Sequence, residues 1–245
     1  MSDSIRPHTI VIKVGSALIA PNGKVDKHHC LPAISHYINQ CTLAGSRIVL
    51  VSSGSVAAGK YLFTQKTPSA IVKKAMAATG QSEMIATWDS MLSSPCAQLL
   101  LTQADLQLNS RYINVKSTIY ELLDSGIIPI INENDAVVSE HLEVGDNDNL
   151  SAMIAACIHA DTLVICTDID GLFNANPRTN TNATLLKEVD AITPNILDMA
   201  GGSDSNVGTG GMITKLQAAQ KATDHGIDTF IINGMKPTSF EALLN

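Results

Sequence analysis

The sequence has few aromatic residues, no cysteines at metal-binding spacing and no apolar run long enough to cross a membrane. Phe, Trp and Tyr make up 4% of its 245 residues, and none of the five cysteines forms a CxxC pair. Thiols spread through apolar segments act as small hydrophobic groups and fit a reducing, cytoplasmic setting. Near the N-terminus Lys13 interrupts the first apolar segment, so the sequence predicts neither a signal peptide nor a membrane span.

Positive charge is also scarce. Lys and Arg number 16 against 23 Asp and Glu, which gives a formal net charge of -7 at pH 7. A chain of this charge has no general attraction to nucleic acid or to an anionic membrane, so an anionic ligand must be held by local positive charge. The seven histidines fall at spacings that predict no metal-binding cluster, and we assign no metal ligands.

Short β-branched runs alternate along the chain with segments that have a helical spacing of apolar residues. This alternation predicts an α/β fold, with a mainly parallel sheet covered by helices on both faces. With no linker in the sequence, we expect a single domain over residues 1–245. The predicted strands are 9–14, 47–51, 98–101, 127–131, 162–166 and 228–232, and the predicted helices are 28–42, 69–90, 110–123, 150–159 and 212–223.

Polar motifs follow four of the predicted strands. They occupy residues 13–16, 52–55, 132–135 and 167–168. In open α/β sheets, ligands bind beyond the carboxyl ends of the strands, where the connecting loops meet. We therefore expect these four motifs to lie together at one edge of the sheet.

A glycine-rich stretch at 208–215 precedes the last predicted helix and contains Thr209, Thr214 and Lys215. Glycines let the backbone approach a ligand closely, and the unpaired N–H groups of a helix N-terminus favour an anion. The stretch is therefore a candidate phosphate site. Glycine-rich turns are also common before helices that bind nothing, so this motif alone leaves both interpretations open.

A second stretch, Gly54 to Lys60, resembles a Walker A phosphate loop and follows a predicted strand, as that motif requires. The next residue is Tyr61 in place of the Ser or Thr whose hydroxyl holds Mg²⁺. The missing magnesium ligand argues against a P-loop NTPase.

Taken together, five blocks resemble the amino acid kinase family, in the same order and over nearly the whole chain. The Asn-Glu-Asn-Asp and Gly-Asp-Asn-Asp-Asn blocks are far more specific than any single glycine loop, and they most resemble the members that phosphorylate free glutamate. The resemblance implies a three-layer αβα sandwich around a mainly parallel open sheet (the amino acid kinase fold). The five blocks are residues 12–16, 51–59, 131–135, 144–151 and 208–215.

In this family ATP donates its γ-phosphoryl group to the acceptor, here the side-chain carboxylate of L-glutamate. The product would be L-glutamyl 5-phosphate, and the reaction would be the first step of proline biosynthesis. The resemblance implies that Lys13 and Lys215 contact the transferring phosphoryl group from opposite sides, while Asp148 holds both ammonium groups. On residue type alone, Lys13 also fits a solvated lysine at a strand end, and Asp148 also fits a turn or helix cap.

The resemblance also implies an acceptor site and a nucleotide site. Mg²⁺ and ATP are the expected cofactors. The acceptor site would contain Ser53, Gly54, Asp135 and Asn147. The nucleotide site would contain Lys13, Gly15, Thr167, Asp168, Thr209, Gly210, Gly211, Met212, Ile213, Thr214 and Lys215.

Two departures from the family pattern stand out. Asn176, in Asn176-Pro177-Arg178, replaces an Asp that the family often has near the nucleotide, which removes one charge. The chain also contains no region resembling the RNA-binding-like PUA domain of many bacterial relatives, so it resembles the short form. Family likeness further implies a homo-oligomer and feedback inhibition by proline, with the loop 140–145 as a candidate region for inhibition.

Two alternatives to glutamate phosphorylation remain. The chain could act on another acceptor of the family, namely acetylglutamate, carbamate, aspartate or UMP. It could instead be a regulatory module that senses an amino acid or nucleotide without catalysis. A panel of acceptors separates these alternatives.

Overall fold

The computed structural model describes residues 7–138, 147–177, 179–200 and 211–244. Its central element is a sheet of six strands in the order β3-β4-β2-β1-β5-β6. All five pairings between neighbouring strands are parallel. The six predicted strands are confirmed, with ends that differ by at most two residues. The strands are β1 (Thr9–Val14), β2 (Arg47–Ser52), β3 (Cys96–Leu101), β4 (Ile128–Glu133), β5 (Thr162–Thr167) and β6 (Asp228–Asn233).

Ten α-helices lie within the described residues, and the five predicted ones are among them. The predicted five are α2 (Leu31–Leu43), α4 (Ala70–Met91), α6 (Asn109–Asp124), α7 (Asn147–Cys157) and α9 (Met212–Thr223). The helices that were not predicted are α1 (Ser16–Ile19), α3 (Ser55–Gly59), α5 (Gln103–Gln107), α8 (Pro194–Ala200) and α10 (Pro237–Leu244). A single 3-10 turn, Lys60–Leu62, follows α3. None of the described helices is long and apolar enough to span a membrane.

Two hydrophobic cores lie on opposite faces of the sheet. One core packs α2, α4 and α10 against the sheet, and the other packs α6, α7 and α9. Because both faces are covered, the four inner strands β4, β2, β1 and β5 are almost entirely buried, which explains their continuous apolar runs. The predicted three-layer αβα sandwich is confirmed.

Side-chain alternation along the strands decides which layer each polar group meets. Ile10, Ile12 and Val14 of β1 lie in the core with α2 and α4, whereas Val11 lies in the core with α7 and α9. Successive side chains point to opposite faces of a sheet, so Lys13 shares its face with Val11. By the same alternation, Asn132 of β4 shares the α4 face with Ile130. The sheet therefore directs Lys13 and Asn132 toward different helical layers.

The sequence of connections reverses direction at β1. The chain builds β2, β3 and β4 on one side of β1 and then crosses to build β5 and β6 on the other. Ligands of open α/β sheets bind in the crevice where the strand order reverses, outside the carboxyl ends of the strands. The loops after β1, β2, β4 and β5 all begin at that edge, as the polar motifs predict.

Candidate active site

A buried carboxylate between two buried lysines forms the centre of the site. Oδ1 of Asp148 lies 2.5 Å from the Lys13 Nζ, and its Oδ2 lies 3.1 Å from the Lys215 Nζ. Asp148 is fully buried, and each lysine is 5% exposed. Thr214 Oγ1 donates a further hydrogen bond to Asp148 Oδ2 at 2.8 Å. The predicted grouping of Lys13, Asp148 and Lys215 is therefore present.

Three elements bring these side chains together. Lys13 lies near the end of β1, Asp148 in the first turn of α7 and Lys215 in the first turn of α9. The positive end of a helix dipole favours a carboxylate, which suits Asp148 in the first turn of α7. The same dipole disfavours the ammonium of Lys215, and the negative charge of Asp148 offsets this cost.

The environment of Asp148 keeps it ionised. Burial alone would raise its pKa, but the ammonium groups of Lys13 and Lys215 and the hydrogen bonds from Lys13 and Thr214 together lower the pKa below its ordinary value. The cluster of two lysines and one carboxylate carries a net positive charge. It can therefore attract a negatively charged group such as a phosphoryl oxygen.

The acceptor side of the site begins one residue before Asp148. Asn147 Nδ2 donates to Ser53 Oγ at 2.8 Å and to Asn132 Oδ1 at 2.9 Å. The backbone N–H of Ser53 donates to the Val14 carbonyl at 3.0 Å, which fixes the start of this loop against β1. Two predicted acceptor residues, Ser53 and Asn147, are thus in direct contact.

Asp135 joins the same region through α3. Ser55 Oγ donates to Asp135 Oδ2 at 2.7 Å. The preceding Gly54 has a φ of 106°, in the left-handed region, and a Cβ there would lie 3.0 Å from the Cβ of Ile19. Only glycine meets both conditions without strain. Gly54 therefore sets the turn from β2 into α3, and with it the position of Ser55.

The nucleotide side lies at the ends of β1 and β5 and the start of α9. Thr167 ends β5, and its hydroxyl donates to Asp168 Oδ1 at 3.2 Å. Gly15 follows β1, where a Cβ would lie 3.6 Å from the Cys166 carbonyl and 3.7 Å from the Lys13 Nζ. Gly211 is the N-cap of α9, and a Cβ there would meet no atom of the described residues within 4 Å. Met212, Ile213, Thr214 and Lys215 form the first turn of α9, whereas Thr209 and Gly210 lie outside the described residues.

These features fit a polyphosphate. The N–H groups of Met212, Ile213 and Thr214 precede the first hydrogen bond of α9, which runs from the Lys215 N–H to the Gly211 carbonyl, and they point toward the N-terminal side of the helix. The ammonium groups of Lys13 and Lys215 supply the charge that such a ligand requires. No three His, Cys, Asp or Glu side chains in the described part of the chain converge on a point where they could hold a metal ion.

Comparison with known proteins shows the family to which the chain belongs. The sequence profile described as "Amino acid kinase family" matches residues 8–233. The chain belongs to the amino acid kinase family. It is 52% identical over 237 residues to "Glutamate 5-kinase" of Idiomarina loihiensis and 53% identical over 236 residues to "Glutamate 5-kinase 1" of Pseudoalteromonas translucida, with 96% of this chain covered in each case. The chain spans 64% of the length of both relatives.

Solved structures from the amino acid kinase family share the fold at low identity. Carbamate kinase from Giardia lamblia bound to AMP-PNP has a TM-score of 0.64 and 20% identity, over 97% of this chain and 95% of that one. UMP kinase from Bacillus anthracis has a TM-score of 0.62 and 14% identity, over 98% and 93%. Likeness at this level supports the fold and not the acceptor.

The Walker A alternative does not fit the structure, because its last glycine serves helix packing. A Cβ at Gly59 would lie 2.0 Å from the Met76 carbonyl, and a Cβ at Gly80 would lie 2.0 Å from the Ser55 carbonyl. Helix α3 and helix α4 therefore cross in direct backbone contact. Lys60 is exposed, and its side chain lies against Gly23, where a Cβ would be 3.4 Å from the Lys60 Cδ.

Sequence reasoning missed three polar residues of the site. Ser55 holds Asp135, while Asn132 Nδ2 donates to Gln81 Oε1 at 2.9 Å and to Ser55 Oγ at 3.4 Å. The family blocks include Ser55 and Asn132, but Asn132 also fitted a structural turn. Gln81 lies in the middle of α4, far from every block, and no sequence pattern marks it.

Proposed function

We propose that this chain transfers the γ-phosphoryl group of ATP to the side-chain carboxylate of L-glutamate, forming L-glutamyl 5-phosphate in the first step of proline biosynthesis. The Lys13–Asp148–Lys215 cluster is the observation that carries the proposal. It lies between an acceptor side lined by amides and a helix N-terminus suited to phosphate. The two relatives named glutamate 5-kinase, at 52% and 53% identity, support glutamate as the acceptor.

The proposed roles follow from charge and position. Phosphoryl transfer needs positioning and neutralisation of charge more than covalent help. Lys13 from β1 and Lys215 from α9 stabilise the negative charge of the transferring group, while Asp148 fixes both ammonium groups. The substrate carboxylate is itself the nucleophile, so no nucleophilic side chain is required. Mg²⁺ bound to the phosphate oxygens would supply further neutralisation.

The acceptor side suits an α-amino acid. Asn147 donates to Ser53 Oγ, so the Ser53 hydroxyl hydrogen can point to a carboxylate oxygen of the substrate. Asp135 supplies negative charge for the α-ammonium group, and an ionised carboxylate has several acceptor positions besides the one that Ser55 occupies. The amide of Gly54 is a further donor in this loop.

The first experiment measures ADP release with ATP and Mg²⁺ across L-glutamate, N-acetyl-L-glutamate, L-aspartate, carbamate and UMP, with hydroxylamine to trap acyl phosphates. We expect turnover to be dominated by L-glutamate. Dominant turnover with another acceptor would reject glutamate but keep the phosphate-binding roles. Folded protein that binds ATP without any turnover would reject catalysis in favour of a sensing module.

Substitutions test the roles of the two lysines. Lys13→Met and Lys215→Met should each lower kcat by roughly 10²–10³-fold, because each removes one charge from the developing transition state. Lys221→Met is the matched control, since Lys221 lies on the same helix α9 but donates to Asn149 Oδ1 at 2.7 Å. We expect the control to stay within a few-fold of the unsubstituted protein. Folded Lys13→Met or Lys215→Met protein with near-normal kcat would reject the assigned roles.

The single-domain organisation, the cytoplasmic location, the homo-oligomer and the inhibition by proline stay predictions. The loop 140–145 lies outside the described residues, so its proposed part in inhibition rests on the sequence alone. Adding proline to the glutamate assay measures the inhibition directly.

A further inference from the structure

The side-chain amides of the acceptor side form a series of hydrogen bonds. The donor-to-acceptor direction of this series is fixed at one end. The backbone N–H of Glu133 faces the side chain of Asn147, with an N···O distance of 3.4 Å to Oδ1. A backbone N–H can only donate, so the Asn147 atom that faces it must be the carbonyl oxygen. The Asn147 NH₂ group must therefore face the other way, toward Ser53 and Asn132.

This direction passes from one amide to the next. Asn147 donates to the carbonyl oxygen of Asn132, and Asn132 in turn donates to the carbonyl oxygen of Gln81, each at 2.9 Å. Hydrogen bonds in such a series polarise one another, because each amide that accepts becomes a better donor. Gln81 is the last member of the series, so its NH₂ group is the donor at the open end.

That terminal NH₂ group is buried. Gln81 is 8% exposed, and its Nε2 has no hydrogen-bond acceptor among the protein atoms that the structure describes. A buried amide donor that is left without an acceptor costs free energy comparable to a lost hydrogen bond. The chain keeps a polar side chain here although the neighbouring Met84 and Trp88 of α4 are fully buried apolar residues. The donor is therefore suited to an oxygen atom supplied from outside the protein.

The location of Gln81 indicates which oxygen this is. The preceding residue, Gly80, lies against the Ser55 carbonyl at the crossing of α3 and α4. Ser55 accepts from Asn132 and donates to Asp135, so Gln81, Asn132, Ser55 and Asp135 form one connected network. Asp135 is the proposed partner of the substrate ammonium group, and in an α-amino acid the α-carboxylate is attached to the same carbon as the ammonium.

We propose that the Gln81 side-chain NH₂ donates to the α-carboxylate of the bound amino-acid acceptor and makes the site selective for a free α-carboxylate. This proposal rests on the proposed function, since it concerns the acceptor of that reaction. Gln81 contacts the end of the substrate that does not react. It therefore affects the choice and affinity of the acceptor and not the binding of ATP.

The test compares L-glutamate with its α-amide, isoglutamine, which keeps the reacting side-chain carboxylate. Gln81→Met removes the donor at nearly constant length. Gln81→Glu keeps an oxygen that can accept from Asn132 but replaces the NH₂ donor with an ionisable oxygen. Because this variant keeps the hydrogen bond from Asn132, it serves as the test if Gln81→Met fails to fold. Ser82→Ala is the control, because Ser82 is the next residue of α4 and is exposed.

We expect the preference for glutamate over isoglutamine, expressed as the ratio of kcat/KM values, to fall about 10- to 100-fold in Gln81→Met. The fall should be larger in Gln81→Glu at pH 8, where a carboxylate would repel the α-carboxylate. The KM for ATP should not change, and Ser82→Ala should keep the original ratio.

Two outcomes distinguish a failure of the inference about Gln81 from a failure of the proposed function. If both acceptors lose activity equally in the Gln81 variants, Gln81 has only a structural role, such as holding a buried water molecule, and the inference is overturned while the proposed function stands. If the unsubstituted protein does not turn over glutamate, the proposed function fails, and the inference about its acceptor fails with it.

Discussion

At the scale of single residues, the two buried lysines depend on one carboxylate. Lys13 and Lys215 lie on different elements, and both direct their ammonium groups to Asp148. A buried ion pair gives little net stability compared with apolar packing, but removing one partner leaves an uncompensated charge. The arrangement is therefore better explained by phosphate chemistry than by stability.

Asp148→Asn should lower the free energy of unfolding by about 3–5 kcal/mol at pH 7, because it removes the negative charge that pairs with two buried ammonium groups. Denaturation in urea measures this difference. Asp124→Asn is the control, since Asp124 pairs with Arg47 at the surface, where such pairs contribute about 0–1 kcal/mol. Equal stability of the Asp148 and Asp124 variants would contradict this account of the cluster.

The pH dependence of this stability difference tests whether folding lowers the pKa of Asp148. The folded state lowers the pKa of Asp148, so its contribution is present above the unfolded pKa of about 4 and is lost as pH falls through the lower, folded value. The stability difference between Asp148→Asn and the unsubstituted protein should therefore shrink as the pH is lowered below about 4. A difference that grows on acidification would contradict the shift.

Residue patterns alone predicted part of this site. The glycine-rich stretch before α9 marked Lys215 as a candidate for phosphate binding, whereas the roles of Lys13 and Asp148 came from the family blocks. The contact of Thr214 with Asp148 depends on the docking of α9 beside α7, and the hydrogen bond of Gln81 depends on the crossing of α3 and α4. Such contacts join residues that no local spacing relates, so sequence periodicity does not detect them.

At the scale of elements, helix length separates the helices that were predicted from those that were not. The predicted helices have 11 to 22 residues, enough turns to show a periodic apolar stripe. The helices that were missed have four to eight residues. Tertiary contacts stabilise helices this short, as the backbone contact with α4 does for α3.

Gly80→Ala tests the contact between α3 and α4. In an ordinary helix this change stabilises by about 0.5–1 kcal/mol, but here the new Cβ would lie 2.0 Å from the Ser55 carbonyl and 2.4 Å from the Gly59 nitrogen. We expect a net destabilisation of about 1–3 kcal/mol or more, because the helices must separate. The KM for glutamate should also rise, since the shift moves Ser55 away from Asp135.

Ala78→Gly is the control for this prediction. Ala78 is exposed on the same helix, so the change should cost about 1 kcal/mol through helix propensity alone and leave the KM for glutamate unchanged. Thermal unfolding and steady-state kinetics of both variants make the comparison. A Gly80→Ala protein as stable as the unsubstituted one would show that the two helices do not pack in backbone contact.

At the scale of the whole molecule, the alternation of strands and helices predicted the layers and the edge that carries the site. It did not predict the strand order β3-β4-β2-β1-β5-β6, because each strand has a similar apolar pattern and several orders bury the same residues. The long-range hydrogen bonds after β1, β2 and β4 depend on that order. Residue patterns alone could therefore not predict the acceptor network, although five of its residues fall within the family blocks, namely Ser53, Ser55, Asn132, Asp135 and Asn147.

The two cores predict how the five free cysteines react. Cys30, Cys41, Cys157 and Cys166 are buried and Cys96 is partly buried, and desolvation raises the pKa of every one of these thiols, to about 11 for Cys96 and about 12 for Cys166. Thiolates are the reactive form. At pH 8 an aromatic disulfide reagent should therefore label the native protein slowly and label five thiols rapidly in urea. Rapid labelling of several thiols without denaturant would contradict the packing.

The reversal of strand order at β1 also separates the proposed acceptor contacts from most of the proposed nucleotide contacts along the sequence. The proposed contacts to the acceptor come from residues 53–147 and end at the first residue of helix α7, and the proposed contacts to the nucleotide after β1 come from residues 167–215. One genetic crossover just after α7 would thus exchange the proposed nucleotide contacts of residues 167–215 between two members of the family, but not Lys13 and Gly15, and would leave the proposed acceptor contacts intact. We expect preferences for acceptor and for nucleotide to be separable in this way, and the substrate preferences of chimeric chains joined at residues 158–161 would test it.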